Sequence, residues 1–480
     1  MLGLIARRSS VPSSVSEQRA SKIPPTKITK GENLARAKRT SPFISSCGPP
    51  PLPLLRSPQL QAASADARRL FDRMSPGRRG KRGRIAPIES GDSSIESLPD
   101  GVLQHILGFL PARDAVRSCV LARRWLDLWM FATGLRITSN GYEDDMEKLR
   151  EFVDHLLLLR GIAPLETCEL RFTDYVMVDI LSAGCPLRVN LWFRHAVRCQ
   201  ARVLRLVMPS ENWFGLNYMH LVSRHLMQLE LSGVAFEKNF LILSDCPALE
   251  QLEIENCDLT VVNKISSESL KHLSLTNCAF SESFRTRIHA PSLVSLLLDD
   301  NWSKTPVLES MPSLVDASIR IGENNVDSCD NCDSGDCSSC HGIIHSNSSS
   351  ILLEGLSKTT NLALMSESNT FIFRMDLKRC PTFSKLKTLL LSDYWGVALD
   401  LDAITCILKN SPLLEKLTIE HFLKGSQHKM EMKGSYIPAQ KTDAISEHLK
   451  IVVVKCEVVD KKVYRVLKLL STFNIRFSFE

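Results

Sequence analysis

A short leucine phrase that returns at a nearly constant interval constrains the fold of this chain more than any other feature. It has the form Leu-x-x-Leu-x-Leu, with Ile or Ala at some anchors, and its central copies begin at Leu226, Leu249, Leu270, Leu293 and Leu314. The intervals between these first anchors are 23, 21, 23 and 21 residues. A unit of this length is one short strand with a return segment, and it cannot bury its own apolar edge. The phrase therefore predicts a stack of units whose leucine rows meet in a shared core.

Weaker copies of the phrase extend the pattern on both sides. They begin at Leu165, Ala201, Thr359, Leu386, Leu414 and Leu449. A phrase of this kind at intervals of about 20–29 residues resembles the leucine-rich repeat. The resemblance implies an α/β fold in which parallel strands line the concave face of a solenoid. Cys257 and Cys278 follow two of the phrases, where such repeats usually place Asn or Cys, and we expect structural and not reactive thiols there.

Side chains alternate along each predicted strand, so the residues between the leucines point away from the core. Over the five central units these residues include five acids and a single Arg. The face is therefore predicted to bind a basic or hydrogen-bond-donating patch on a target, and the alternative is an acidic sheet face that contacts only solvent. The candidate target-binding residues are Gln228, Glu230, Gln251, Glu253, Glu255, His272 and Asp299.

A helical segment precedes the repeats at residues 94–131. Asp100 is placed to cap a first helix whose apolar residues recur at helical spacing, and Pro111 is expected to end it. Asp114 is placed to cap a second helix, which carries Trp125 on its apolar side. Helices this short are not stable alone, so their apolar faces need the following domain or a partner.

The order of residues in this segment resembles the plant F-box. The match consists of Leu98-Pro99-Asp100, Ile106-Leu107, Leu110-Pro111, Asp114-Ala115-Val116, Val120-Leu121, Arg124-Trp125 and Trp129, with one departure at Ala122-Arg123, where the family usually has Ser-Lys. The resemblance implies a module that inserts into a groove on a Skp-type adaptor, which joins a cullin scaffold. By the same resemblance the adaptor-binding residues are Leu98, Pro99, Ile106, Leu107, Leu110, Val116, Leu121 and Trp125. The alternative for some of them is packing against the protein's own repeats.

The C-terminal units also resemble those of plant F-box proteins, and the ending SEHLKIVVVKCEVVDKKVYRVLKLL resembles the FBD module often found with them. This ending reads as a strand followed by a helix, and we expect it to cap the open end of the stack. The predicted organisation is a disordered basic tail at 1–93, an F-box at 94–135, a linker helix at 136–160, repeats at 161–445 with a Cys-rich insert at 322–350, and an FBD-like cap at 446–480.

The net charge of +6 is concentrated near the N-terminus. Residues 1–90 hold 18 Lys and Arg against 5 Asp and Glu, so the rest of the chain is net acidic, which disfavours direct nucleic-acid binding by the body. The run Arg78–Arg84 resembles a nuclear-import signal, residues 1–40 are acid-poor like an organelle transit peptide, and a solvated basic tail is the third alternative. No signal peptide and no run of roughly 20 apolar residues is recognisable. We expect a soluble protein of the nucleus and/or cytoplasm, without membrane contact.

The insert contains a cluster of zinc-ligand residue types. Cys329-x-x-Cys332 and Cys337-x-x-Cys340 are followed by His341. Zinc accepts such pairs, but the gap between them is shorter than in ribbon or finger sites, and the segment is rich in Ser, Asp and Gly like a flexible loop. We expect no cofactor, and a zinc site at the four cysteines is the alternative.

The sequence contains no Gly-rich phosphate loop, nucleophile elbow or paired metalloprotease histidines. We therefore expect a non-catalytic adaptor, the substrate-recognition subunit of a Skp-cullin-F-box (SCF) ubiquitin ligase. It would bind the Skp adaptor, and through it cullin, by the F-box and an unidentified protein target by the repeats. The alternative is a repeat scaffold without a ligase, in which the helices only stabilise the end of the stack. A weaker third hypothesis is a metal-sensing module built on the insert.

Overall fold

The computed structural model describes residues 95–139, 146–172, 185–209, 213–216, 220–237, 240–322, 324–325, 352–366, 380–392, 406–421, 447–456, 467–468, 470 and 475–479. Within these ranges the chain forms short helices first and then a long parallel sheet. In the same ranges, no helix has the length and apolar character needed to cross a bilayer.

The first part of the described chain is helical. Its α-helices are α1 (Asp100–Leu107) and α2 (Ala112–Arg117), and its 3₁₀ helices span Ile95–Ser97, Ser118–Val120, Arg123–Leu126 and Leu128–Phe131. Leu103 and Leu107 are one helical turn apart on α1, and both are buried. They belong to the same hydrophobic core as the repeats, so the helices do not form a separate core.

The caps of these helices differ from the sequence prediction. Pro99 and Pro111 occupy the N-cap positions of α1 and α2, and neither Asp100 nor Asp114 is a capping residue. Asp100 is instead the first helical residue, and its carboxylate accepts a hydrogen bond from Arg124. Pro111 was expected to end the first helix, but α1 ends earlier, at Leu107. A carboxylate in the first turn still stabilises the helix dipole, and the long-range pairing of Asp100 was not readable from local spacing.

Further helices follow among the described residues. They are α3 (Met146–Arg160), α4 (Cys185–Arg198) and α5 (Leu353–Leu356). The linker helix predicted at 136–160 corresponds to α3, but it begins only at Met146, and residues 136–138 belong to a strand. Its residues Leu149, Val153 and Leu156 recur at helical spacing and are buried, which is why this segment is amphipathic.

One sheet extends through all of the repeats. Within the described residues it has 13 strands, paired in parallel in chain order. With all strands of the chain numbered in order, its members are β1 (Gly134–Thr138), β2 (Thr167–Arg171), β3 (Val203–Val207), β5 (Gln228–Ser232), β7 (Gln251–Glu255), β9 (His272–Thr276), β11 (Ser295–Asp299), β13 (Asp316–Ile321), β14 (Asn361–Ser366), β15 (Thr388–Ser392), β16 (Lys416–His421), β17 (Ile451–Cys456) and β18 (Arg476–Phe479). The predicted α/β class with parallel strands is confirmed.

Five shorter strands form two smaller parallel sheets. β4 (Phe214–Leu216) pairs with β6 (Val234–Phe236), and β10 (Arg287–His289) lies between β8 (Lys264–Ser266) and β12 (Val307–Leu308). These strands belong to the return segments of the repeats. The return segments of neighbouring units are therefore also held to one another by backbone hydrogen bonds.

The leucine phrase sets the register of the main sheet. Leu229 lies opposite Leu252, and Leu252 lies opposite Leu273, so the inward leucines form continuous rows. All three are at most 1% exposed. Burying a leucine stabilises a fold by about 1.5–3 kcal/mol relative to leaving it in water, so the rows supply most of the driving force for stacking. Every repeat phrase identified in the sequence coincides with a strand of this sheet.

Two strands of the main sheet were not predicted. β1 joins the sheet before the first phrase, and β18 follows the last one. β1 connects the helical part to the stack, because Pro111 forms a bridge with Arg136 on this strand. The close approach needs glycine, since a Cβ on Gly134 would lie 2.3 Å from the carbonyl oxygen of Gly108.

Several predictions concern residues outside the described ranges. They are the basic tail at 1–93, the four cysteines Cys329, Cys332, Cys337 and Cys340, and much of the helix expected after β17. These remain predictions.

Candidate functional site

The first candidate surface lies on α1, which carries two apolar stripes. Leu103 and Leu107 form the inner stripe and are buried. Val102 and Phe109 belong to an outer stripe with Ile106 and Leu110, and they are 43% and 57% exposed. A helix that only packs on its own protein needs a single apolar stripe, so the second indicates a contact with another molecule.

The segment after α2 adds two more exposed apolar side chains. Val120 is 82% exposed and Leu121 is 67% exposed. The Arg124 guanidinium, three residues further on, donates hydrogen bonds to the Asp100 carboxylate (2.8 Å) and to the Leu98 carbonyl (2.5 Å). These bonds hold the start of α1 against the segment that carries Val120 and Leu121. We call the exposed side chains of Val102, Ile106, Phe109, Leu110, Val120 and Leu121 the outer apolar patch.

The eight predicted adaptor-binding residues fall into two groups. Pro99, Ile106, Leu110 and Leu121 are exposed, and Leu98 is half-buried. Leu107, Val116 and Trp125 are only 1%, 2% and 4% exposed. These three have almost no surface to offer a partner in this structure, because they fill the protein's own core. For them the structure favours the alternative of internal packing.

The assignment of adaptor-binding residues by resemblance also omitted exposed apolar side chains of this segment, among them Val102, Phe109 and Val120. The sequence did contain a signal for two of them. Val102, Ile106 and Phe109 recur at intervals of four and three residues, a helical spacing one position before the buried pair, with Phe109 just beyond the end of α1. The sequence alone therefore indicates both the inner and the outer apolar stripe.

A buried arginine joins this helical part to the repeats. Arg160, at the end of α3, donates hydrogen bonds to the carbonyl oxygens of Trp129 (3.1 Å) and Ala132 (2.9 Å). Burial lowers the pKa of the Arg160 guanidinium from its usual value. The group nevertheless satisfies two carbonyls at the end of the last 3₁₀ helix, so it fixes the helical part against α3.

The second candidate surface is the outward face of the main sheet. Its side chains form three rows that cross the strands in register. From β5 to β9 the first row contains Gln228, Gln251 and His272, the middle row Glu230, Glu253 and Ser274, and the third row Ser232, Glu255 and Thr276. Of the predicted target-binding residues, Asp299 lies further along the third row, on β11. The sheet therefore brings all seven to one face.

Some acids on this face already have partners within the sheet. Arg205 Nε on β3 lies 2.6 Å from Glu230 Oε2, and Gln228 donates to the other oxygen of that carboxylate at 2.6 Å. Arg320 Nε lies 2.9 Å from Asp299 Oδ1. Arg205 stands outside the five units on which the charge count was based. The face is therefore less acidic than the sequence indicated.

The remaining negative charge is concentrated on β7. Glu253 and Glu255 have no ion-pair partner among the described residues. Burial, and then repulsion from Glu230, raise the pKa of the Glu253 carboxyl above its ordinary value. The cation of Arg205 opposes this shift but does not cancel it.

A depression of about 530 Å³ lies further along the same face, across β11 and β13–β16. Its floor is the middle row, which here consists of Leu297, Ser318, Ala363, Leu390 and Thr418. None of these residues is charged. This depression, which we call the trough, was not among the sites predicted from the sequence.

The buried thiols are packing groups. Cys257 and Cys278 are fully buried, and each Sγ lies near backbone carbonyls, at 3.1 Å from Glu255 for Cys257 and at 3.3 Å from Thr276 for Cys278. Burial raises the pKa of Cys278 to about 12 and that of Cys257 well above its ordinary value. The expectation of structural thiols is confirmed at both positions. Within the described part of the chain, no group of three His, Cys, Asp or Glu side chains could hold a metal ion.

Comparison with known families assigns both parts of the structure. Residues 95–130 match the F-box domain, and residues 182–321 match the family described as FBD-associated F-box protein At5g56370, LRR repeats. The first match covers the short helices and the outer apolar patch. The second covers the sheet from β3 to β13.

The curated relatives that the chain matches include F-box proteins of a plant. A putative F-box protein of Arabidopsis thaliana is 25% identical over 72% of this chain and 78% of its own length. An F-box/FBD/LRR-repeat protein of the same plant is 26% identical over 72% of this chain and 80% of its own length. An FBD-associated F-box protein, also from A. thaliana, is 30% identical over 47% of this chain and 61% of its own length.

Proposed function

We propose that this chain, which matches the F-box domain over residues 95–130 and the plant FBD-associated leucine-rich repeats over residues 182–321, is the target-binding adaptor of an SCF-type ubiquitin ligase. F-box domains generally bind Skp1-type adaptors. In this proposal the outer apolar patch binds the Skp-type adaptor, which connects the chain to cullin, and the face of the main sheet binds the target.

The observation that carries the proposal is the exposure of the outer apolar patch. The F-box already fills its own core with Leu107, Val116 and Trp125, so Val120 and Leu121 are not needed to complete it. Exposed leucine and valine side chains next to one another are costly in water and are typical of a surface that a partner covers. A groove lined with apolar side chains is the partner that such helices fit.

An adaptor of this kind needs no catalytic residue and no cofactor. It accelerates ubiquitin transfer by holding the target close to the charged carrier, which raises the effective concentration of the reacting groups. Because the two binding surfaces must keep a fixed relative orientation, the contacts of Arg160 with Trp129 and Ala132 are part of the proposed mechanism. The proposal places the protein in the nucleus and/or cytoplasm, with the basic run Arg78–Arg84 as the support for nuclear entry.

The second candidate is a repeat scaffold whose F-box helices only close the end of the stack. The observation that favours it is the burial of Leu107, Val116 and Trp125, which is what a purely structural module requires. The two candidates differ over the outer apolar patch. A ligase adaptor needs apolar side chains in this patch to bind its partner, whereas a scaffold tolerates polar side chains there.

The test is co-purification of the full chain with a plant Skp-type adaptor, followed by affinity measurement. Val120→Asp and Leu121→Asp are expected to weaken binding at least about 30-fold, because each places a charge in an apolar interface. Val261→Asp is the matched control, since Val261 is 51% exposed but lies in the repeats. It should bind like the unmodified chain. Absence of adaptor binding, or equal binding by all three variants, would favour the scaffold.

A further inference from the structure

The trough has the dimensions of an elongated binding site. It crosses five neighbouring strands, and adjacent strands of a sheet are about 4.8 Å apart, so it is roughly 20 Å long. About six residues of extended chain span that distance. Its volume of about 530 Å³ also lies within the range of ordinary binding pockets, which is roughly 300–1,000 Å³.

The floor of the trough is uncharged along its whole length. Leu297 and Leu390 provide the largest apolar side chains, and Ala363 between them leaves space. Ser318 and Thr418 add hydroxyl groups, which can each donate and accept one hydrogen bond. A charged side chain placed on this floor would lose water without gaining an opposite charge, which is strongly unfavourable.

The first wall of the trough is organised by its own hydrogen bonds. Asn361 Nδ2 donates to Asp316 Oδ1 at 2.7 Å, and Thr388 Oγ1 lies 2.6 Å from Asn361 Oδ1. The Asp316 carboxylate therefore already accepts a bond from its neighbour on β14. This ladder fixes the wall before any partner arrives, which reduces the entropy lost on binding.

The charged groups along the opposite row are paired with one another. Arg320 lies beside Asp299, and its Nη2 also lies 3.5 Å from the sulfur of Met365. Further along, Lys455 Nζ lies 3.3 Å from Glu420 Oε1. This third row does not line the trough, and its paired charges add little net charge beside it.

Lys416 differs from these groups. It lines the trough on β16, it is exposed, and it has no ion-pair partner among the described residues. Among the residues that line the trough, Lys416 on β16 is therefore the cation at one end, and Asp316 on β13 is the carboxylate nearer the other end. A carboxylate on the bound molecule would complement Lys416.

We propose that the trough binds an extended segment of the target protein that has uncharged apolar side chains in its middle and a carboxylate at the Lys416 end. The apolar side chains lie over Leu297, Ala363 and Leu390, and the serine and threonine hydroxyls bond to the backbone of the segment. That the segment belongs to a ligase target depends on the proposed ligase function. That the trough binds a segment of this chemistry does not depend on it. The sequence predicted a basic or hydrogen-bond-donating patch on the target, because the acids of β5 to β11 were considered. The trough lies further along the sheet and calls for an apolar segment instead.

The test uses a positional-scanning library of acetylated, amidated octapeptides on the immobilised full chain. The expected selection is Leu, Ile, Val or Met at two central positions and Asp or Glu near one end. Leu390→Asp should reduce retention of the selected peptides at least tenfold. Lys416→Glu should change the end preference from Asp or Glu to Lys or Arg, a reversal that a merely unfolded protein would not produce.

Lys409→Glu is the control, because Lys409 is exposed and has the same charge as Lys416 but does not line the trough. It should leave the selection unchanged. No selection, selection of Lys or Arg at the central positions, or selection that survives both Leu390→Asp and Lys416→Glu would overturn the proposal. Adaptor binding is measured on the same samples. If it fails while the peptide selection holds, the ligase function is wrong and the trough is still a peptide site.

Discussion

The F-box helices and the repeat sheet bury leucines in one common core, but they present different surfaces to solvent. The sheet alternates strictly, so its apolar residues are inside and its outward rows are mostly polar. The F-box has apolar residues on both sides of α1 and along the segment that ends at Leu121. Period-two alternation gives each strand one buried face, whereas a helix can carry two stripes. The difference separates residues that hold the fold from residues that are free to bind.

This comparison changes how a family motif should be used. A motif records all residues that are needed, and it does not distinguish packing from docking. Trp125 and Leu121 both belong to the F-box motif, yet one is buried and the other is exposed. Substitutions should therefore divide the motif into a group that affects stability and a group that affects adaptor binding.

The largest effect on stability is expected at Trp125. Trp125→Ala should lower the free energy of unfolding by about 3–5 kcal/mol, because it leaves a large cavity in the shared core. Urea denaturation of the full chain measures this. Trp302→Ala is the matched control, since Trp302 is exposed on the repeats and should cost much less. Equal losses at the two tryptophans would mean that the F-box core is not organised as described.

A smaller loss is expected at Arg160. Arg160→Met keeps the length of the side chain but leaves the carbonyls of Trp129 and Ala132 without their donor. An unsatisfied buried polar group costs about 1–3 kcal/mol, and the loss should be seen first as faster proteolysis between the F-box and α3. Arg117→Met removes an exposed F-box arginine whose ion pair is with Asp114 on the same helix, and it serves as the control. Unchanged cleavage in Arg160→Met would show that the hydrogen bonds of Arg160 do not hold the F-box against α3.

The smallest effect concerns the acidic part of the sheet face. Because the folded-state pKa of Glu253 is raised, the carboxyl binds its proton more tightly in the folded protein, and stability falls as the pH rises above the ordinary value of 4.5. Glu253→Gln should therefore stabilise the fold at about pH 7, by less than about 0.5 kcal/mol for so exposed a group, and have no effect near pH 4. A stabilisation that is equal at both pH values would show that ionisation of the Glu253 carboxyl is not the cause.

The positions of the strands could be predicted from the sequence because each repeat needs the same two inward leucines. Leu252 and Ile254 predict β7 in the same way as Leu229 and Leu231 predict β5. β1 also has this pattern, since Ala132-x-x-Leu135-x-Ile137 has the form of the copy that begins at Ala201, but the interval of 33 residues to Leu165 is longer than one repeat. Its place depends on the contact between Gly108 and Gly134, which sequence spacing does not reveal.

The candidate surfaces were less predictable than the fold. Alternation predicted correctly which side chains of β5 and β7 face outward, but the neutralisation of Glu230 requires Arg205 from another strand. The trough similarly combines residues from five strands, including Leu297 and Leu390, which are far apart in the chain. Such properties arise between units of the stack, and a phrase within one unit cannot encode them.

Amide hydrogen exchange of the full chain, with and without a Skp-type adaptor, tests the central claim most directly. The account predicts that the adaptor slows exchange at amides of residues 95–131, above all around α1 and Val120–Leu121, and leaves the strands β5 to β11 unchanged. Those strands are already protected by their ladder hydrogen bonds. Slowed exchange in the strands with no change in residues 95–131 would contradict the division of the molecule into an adaptor-binding region and a target-binding region.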